Sequence, residues 1–454
     1  MKCVFFLFFP FVLFCQNEAS TLFFGNALID FKSIPPSVVY PLEMNTLECA
    51  TSICSQNGEI LFYSNGGKSP TSNIFGGIWN KNNQIMENGV LGTDSSGCTS
   101  SFQGAIIVPF PSSLKKSNVG LYYLFTKDCI ESSFSNNQYN SYLNYSIIDM
   151  NENNGLGKVI QKNTPLIPYS VADMHSTSYE PVTAILHGNN TDYWLFSYTI
   201  DSLYRLLITE NGIEGFKTLV KDKGRITISP NRLFLCTDNN KIYHFNPNTG
   251  EIEFITNTGA LNSLTFSPDG TKLYGIEDSK LYQCDLNQTN FLESKTYLAN
   301  TNCELFLAPN NIIYLYYEEA NNFLGEIRCP NEIGATCEFS FTNTLLPNVS
   351  LFAYSNVMSH YLYYQGNCVA NIIENSLETK IIISPNPSYN LILVESEEEL
   401  FGIDIVDCLG NLIFSEKIHE YNYTINTSNI RNGVYFIKCF TKNDNIVMKI
   451  EIEK

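Results

Sequence analysis

One place outside the C-terminal tail sets acids beside a histidine: Asp173, His175 and Glu180. Such a carboxylate–imidazole group could do acid–base work or hold a metal, and a solvated polar loop would read the same way. The five histidines, at 175, 187, 244, 360 and 419, have no partners at ligand spacing. His187 falls at a strand turn. No nucleophile elbow, zinc helix or phosphate-cradling loop is legible. The glycine-rich GVLGTDSSG (89–97) has neither a strand-then-helix setting nor a following lysine. Asp238-Asn239-Asn240 and Asp269-Gly270 are carboxylate turns that could invite a structural calcium, though without EF-hand spacing. No other cofactor is expected. Tyr139, Tyr142, Tyr145, Tyr169 and Tyr179 enrich one region in rings that could stack on sugars or pack in a core. With no catalytic constellation in view, recognition is favoured over catalysis.

The elements that would position these residues repeat. ITISPNRLFLCTDNNKIYHFNPNTGEI (226–252), LTFSPDGTKLYGIEDSKLYQCDL (264–286) and LFLAPNNIIYLYYEEANNFLGEI (305–327) each read as strand, Pro-Asn, Pro-Asp or similar turn, strand, polar turn, strand. Pro230, Pro268 and Pro309 recur about every forty residues, the mark of a β-propeller. A four-stranded sheet with two apolar faces hides both only by packing between neighbours, and a closed ring leaves no face over. Segments 59–86, 105–150 and 182–209 read as earlier blades. LFAYS (351–355) and YLYY (361–364) read as a thin last blade, to which a strand FFGNALIDF (23–31) would pair and close the ring. The expectation is all-β, a propeller of about seven blades, with six as the alternative.

Beyond SPNPS (384–388) the pattern changes. Phe401, Ile403 and Ile405 alternate with Gly402, Asp404 and Val406, and Ile446, Met448, Ile450 and Ile452 alternate in the same way near the end. Leu409-Gly410-Asn411 and Asn432-Gly433 are turn signals. Pro385 and Pro387 break pairing at the boundary. These short strands predict a small Ig-like antiparallel β-sandwich.

At the other end, Lys2 and the apolar run Cys3–Cys15 have the form of a secretory signal peptide. The run is interrupted by Pro10 and is shorter than the ~20 residues of a spanning helix. Cleavage is expected after Cys15, leaving Gln16 first; acylation of Cys15 as a lipoprotein is the rival. No later stretch is long enough for an integral membrane span. Lys+Arg number 27 against 45 Asp+Glu, a formal net charge of −18, which argues against nucleic-acid binding. Twelve of the 14 cysteines lie beyond the leader. In an exported chain they permit disulfides, and Cys49 with Cys54, or Cys329 with Cys337, are close in sequence.

The tail, read as SPNPS, the LGN turn, NGVY and a lysine near the end, resembles the type A C-terminal sorting domain of the type IX secretion system of Bacteroidetes-type bacteria. That resemblance implies that Pro385, Asn386, Pro387, Gly410, Gly433, Tyr435 and Lys449 belong to the sorting signal. It also implies that the secretion machinery is the partner and that the domain is usually removed. The body, through FGNALIDF, NGEILFYSNGG, IWNKNNQIMENG, AIIVP, LYYLFT, YSIIDM, LAPNNIIY and LPNVSLFAYSN, resembles a propeller region of large surface and gliding-associated proteins of Flavobacterium-like bacteria, a family without a firm activity. Asp201-Ser202-Leu203 resembles the short Bacteroidetes O-glycosylation acceptor.

The organisation expected is a signal peptide at 1–15, a propeller at 16–370, a linker at 371–383 and a sorting domain at 384–454. The protein should be secreted or held on the cell surface, through Sec and then the outer membrane. Its propeller should bind a protein or a glycan. The alternatives are an extracellular hydrolase or lyase on polysaccharide or peptide, and a structural module of an adhesion or gliding apparatus.

Overall fold

The computed structural model describes residues 17–454 apart from 25–26, 34–35, 40–41, 68–73, 92–96, 112–119, 130–142, 167–179, 200, 317–322, 346–354, 367–380, 408–410 and 442–444. The chain divides into two compact units, Met1–Cys368 and Val369–Lys454.

The first unit is a ring of seven blades. Blade 1 holds β1 (Thr21–Phe24), β2 (Ala27–Asp30) and β3 (Ser37–Val39). Blade 2 holds β4 (Thr51–Cys54), β5 (Ile60–Ser64), β6 (Gly77–Asn80) and β7 (Ile85–Val90), and blade 3 holds β8 (Ala105–Pro109), β9 (Leu121–Lys127), β10 (Leu143–Asp149) and β11 (Lys158–Pro165). Blade 4 is β12 (Val182–Leu186), β13 (Tyr193–Tyr198), β14 (Ser202–Thr209) and β15 (Gly212–Lys221). Blade 5 is β16 (Ile226–Ile228), β17 (Phe234–Thr237), β18 (Lys241–Asn246) and β19 (Glu251–Asn257). Blade 6 is β20 (Asn262–Phe266), β21 (Lys272–Glu277), β22 (Lys280–Asp285) and β23 (Thr296–Asn300). Blade 7 is β24 (Glu304–Leu307), β25 (Ile313–Tyr316), β26 (Phe323–Ile327) and β27 (Phe339–Leu345). Within each blade, consecutive strands pair antiparallel. Blades 2 and 3 share one eight-stranded sheet because their outer strands meet in a single parallel bridge, Lys158 to Glu87, with a 2.8 Å ion pair across it.

Inner strands are buried on both faces, as in β4 and β21, whereas the outer strand β15 is mostly exposed. That gradient is what radial packing requires. Seven apolar clusters fill the seven gaps between neighbouring blades. The gap that closes the ring sets Leu22 and Ile29 of blade 1 against Phe306, Tyr314 and Leu324 of blade 7. The repeated Pro turns also join blades. Asn231 donates to the Asp269 carbonyl at 2.9 Å, and Asp269 N–H donates to Asn331 Oδ1 at 3.1 Å.

Two expectations about closure change. FFGNALIDF is a hairpin, Phe23 paired with Leu28, with the turn-type pair Gly25-Asn26 between its arms in the sequence. YLYY is no strand: a 3₁₀ turn at Ser359–Leu362 takes its first two residues. LFAYS lies outside the described residues except Ser355, whose N–H reaches the Phe23 carbonyl at 3.0 Å and whose hydroxyl accepts from Phe23 N–H at 2.7 Å.

The second unit is one five-stranded antiparallel sheet: β28 (Ile381–Ser384), β29 (Leu391–Asp407), β30 (Leu412–Asn426), β31 (Gly433–Thr441) and β32 (Asn445–Ile452). Its first strand begins inside the segment expected as linker. The register of the long strand β29 shifts between Glu395 and Leu400. β28 pairs before that shift and β31 after it. The two halves share one core, Ile381, Ile392 and Val394 with Ile403, Ile437 and Ile450, so the sheet folds on itself as a small sandwich.

Candidate functional site

The inner strands present backbone edges to the axis, and buried edge groups need partners. The chain supplies them itself. After blade 7, residues 355–364 run down the axis, and Asn356 is their hub. Its N–H donates to Ala50 O at 2.8 Å and its carbonyl accepts from Thr51 Oγ1 at 2.8 Å. Its Nδ2 donates to Ala105 O at 2.8 Å and Val182 O at 2.7 Å. One asparagine therefore ties blades 2, 3 and 4. Gln103 extends the network to blade 5, donating to Ile226 O at 2.9 Å and accepting from Ile226 N–H at 3.0 Å. Sequence reading quoted this asparagine only as part of a resemblance; a lone Asn in a loop carries no other signal.

Asn356 hugs blades 2 to 4, which leaves the axis open toward blades 5 to 7. There a cavity of about 110 Å³ is lined by Thr227, Thr265, Leu305, Leu307, Val357 and Leu362. Glu48, Phe102, Thr183 and Arg225 line it as well. The Arg225 guanidinium lies 5.5 Å from the Phe102 ring and 3.5 Å from Glu304, and Ser263 donates to the same Glu304 oxygen at 2.8 Å. Beside them burial holds the Asp238 carboxyl above the usual range, with Arg225 opposing. An apolar wall under a rim of hydroxyls, a ring and an ion pair suits recognition of a ligand that is part polar.

Further along the axis His360 is buried with no partner on Nδ1. Burial first, then the charge of Arg232, pushes its pKa down to about 3, so it sits neutral. Tyr361 packs against three of the inter-blade clusters. The chain leaves this unit at the turn face, where Tyr364 N–H donates to Pro268 O at 3.1 Å and Asn331 reaches Tyr364 O at 3.3 Å.

The sequence-predicted residues fall in several places. Asp173 and His175 lie outside the described residues, as do Tyr139, Tyr142, Tyr169 and Tyr179. Glu180 accepts from Phe102 N–H at 2.8 Å, which makes it a support of the mouth. Tyr145 packs on Tyr123, within blade 3. His187 is engaged by Asn189 N–H and the Asn248 carbonyl, joining blade 4 to blade 5. Asp269 accepts from Ser267 and Thr271 in its own turn; at the other turn Asn239 donates to Asp222, while Asp238 Oδ1 is buried without a hydrogen-bond partner among the described residues. Gly97, at φ +136°, approaches the Gly66 carbonyl so closely that a Cβ would come within 1.9 Å of it. The glycine there serves packing rather than a phosphate. Ser202 is buried and donates to Asp201 Oδ1 at 2.7 Å.

The cysteine expectations also change. Cys49, Cys54 and Cys337 are free thiols, Cys329 is disulfide-bonded, and Cys98 joins Cys129 across 31 residues. Closeness in sequence carries no information about side chains that point into different blade gaps. Nearby Lys127 is fully buried, donating to Ser197 Oγ at 3.0 Å and Tyr198 O at 2.6 Å. Burial pulls its pKa down to about 7, against the opposing charge of Glu180.

In the second unit the sorting-signal residues have structural tasks. Asn386 donates to Lys449 O at 3.0 Å and accepts from Glu451 N–H at 2.8 Å, and Ser388 exchanges backbone bonds with Glu451 and Glu453. The SPNPS segment, with cis bonds at Pro385 and Pro387, thus covers the outer edge of β32. Tyr435 donates to Arg431 O at 3.0 Å, a tyrosine corner of the kind found in Ig-like sandwiches. Gly433 opens β31 opposite Ile452, and Gly410 lies outside the described residues.

No curated protein matches the sequence. Among solved structures, PorZ, described as an essential bacterial surface component of the type IX secretion system of Porphyromonas gingivalis, is 10% identical with a TM-score of 0.32, over 96% of this chain and 75% of that one. The extracellular domain of BT4673 from B. thetaiotaomicron is 13% identical with a TM-score of 0.43. That match spans 96% of this chain, which covers 56% of the other's length. Oligogalacturonate lyase in complex with manganese is 12% identical with a TM-score of 0.36, over 66% of this chain and 83% of that one. These scores are low, so the propeller assignment rests on the seven blades and seven interfaces of the chain itself. No helix among the described residues is long and apolar enough to cross a membrane. The profile of the secretion-system C-terminal sorting domain matches residues 382–453, the same residues that form the self-closing sandwich. The chain therefore carries a type IX C-terminal sorting domain behind a β-propeller, and is a secreted or cell-surface protein.

Proposed function

We propose that the propeller is a recognition module that takes a protein or glycan partner at its axial mouth, outside the cell. The observation that carries this reading is the lopsided axis. Asn356 fastens the chain's own segment to blades 2 to 4, while a cavity remains on the side of blades 5 to 7, lined by Phe102, Leu305 and Leu307 and by the largely buried Arg225. An Arg–aromatic contact beside hydroxyls is a recognition surface in its own right. The leader at 1–15 directs the chain to the periplasm, with cleavage after Cys15, and N-terminal sequencing of the mature protein should begin at Gln16.

The binding reading is tested with the purified exported protein and its Phe102→Ala and Arg225→Ala variants, on a glycan array and a panel of hydrolase and lyase substrates. Saturable binding lost by about tenfold or more in the variants is expected for a mouth residue. Turnover of any substrate would replace recognition with the hydrolase or lyase reading.

A further inference from the structure

A sheet has edges, and soluble proteins hide or blunt them because each is a template for another strand. The sorting domain has three. β28 is short, with four residues. The outer edge of β32 is covered by Asn386 and Ser388. β30 is different. It runs 15 residues, Leu412–Asn426, and among the described residues it pairs with β29 alone. It contains no proline and a single lysine, Lys417, and Leu412, Ile413 and Tyr421 stand 60%, 42% and 55% exposed. Around it the charge is acidic. Glu416 and Glu420 are exposed on the strand, and Glu399 lies on β29 beside His419.

We propose that the open edge of β30 is the surface read by the export machinery, which adds an extended, lysine- or arginine-bearing strand to it. This inference rests on the sorting-domain reading. Strand addition supplies backbone hydrogen bonds for affinity, and alternate side chains supply specificity. Here the exposed Ile413 and Tyr421 offer apolar contact, while Glu416 and Glu420 select a basic partner by charge.

The test uses the full chain in a bacterium with an active type IX system. Glu416→Lys with Glu420→Lys, and separately Ile413→Lys with Tyr421→Lys, change exposed positions, where substitutions shift stability by about 0.5 kcal/mol or less. The surface or medium fraction should fall about tenfold or more, with protease-resistant protein accumulating in the periplasm. Ile382→Lys with Glu453→Lys, on exposed positions of β28 and beyond β32, should export like the parent. Normal export of both edge variants, with deletion of 381–454 still trapped, would overturn the edge assignment alone. Export of the deletion would overturn the sorting reading as well. A photo-reactive residue at Ile413 that joins only two copies of this chain would also overturn it, in favour of self-pairing.

Discussion

The two units treat strand edges in opposite ways. The propeller turns its inner edges toward an axis and saturates them with its own amides, above all Asn356 and Gln103. The tail covers one edge with Asn386 and leaves another, longer one bare. Both asparagines do the same chemistry, an amide clasping a backbone edge, yet one serves closure of a ring and the other protects only part of a sheet. The contrast is between axial edges that the chain itself saturates and a 15-residue edge on the tail that pairs on one side only among the described residues.

The largest effect that could break this contrast is on location. Removing residues 381–454 should leave the propeller folded but held in the periplasm, as fractionation of cells will show, because the sorting domain goes with them. Normal surface display would mean that the body also carries a signal.

Next come the two asparagines. Asn356→Ala strands the carbonyls of Ala105 and Val182, each worth ~1–3 kcal/mol when buried and unpaired, so the propeller transition should lose about 2–5 kcal/mol in denaturant. Asn386→Ala frees two partly exposed bonds, and about 1 kcal/mol should go from the tail transition only. Two units give two transitions, so the effects are read separately by denaturant titration. A shift of both transitions by either variant would erase the distinction.

Acid sharpens it further. His360 is held at about 3 in the fold against 6.5 unfolded. On acidification the unfolded chain takes the proton first, so the contribution of the neutral ring is whole above pH 6.5 and drains away toward pH 3. The propeller transition should therefore fall over that window, and His360→Gln should flatten it.

A further effect lies on the alkaline side. Lys127 sits at about 7 in the fold against 10.5 unfolded. Between those values the unfolded chain keeps a proton that the folded chain has released, so propeller stability should rise with pH. Lys127→Met, measured by denaturant midpoint at pH 7 and pH 9, should remove the rise.

What the residues announce in advance follows from how local each feature is. The Pro turns at 230 and 268 and their flanking strands are local patterns, and the blades form where those patterns lie. The tail landmarks are equally local, which is why its strands were legible from alternation. Closure is not local. YLYY reads as a strand from its rings, but Tyr361 meets three blade gaps at once, and no strand at a blade face can do that. Asn356 meets partners 174 to 305 residues away, a relation that no window of sequence contains. Glu180 looked like chemistry because it neighbours a histidine in the chain, while its carboxylate is bound to Phe102 N–H.

The axial stretch that follows blade 7 has a consequence for how the protein is made. Synthesis runs from the N-terminus, so every blade is delivered before the cord that fastens them exists. Until residues 355 to 366 arrive, the wheel has no axle, and blade 1 waits for contacts encoded more than three hundred residues later. The ring can therefore lock only once nearly the whole of the first unit has been made.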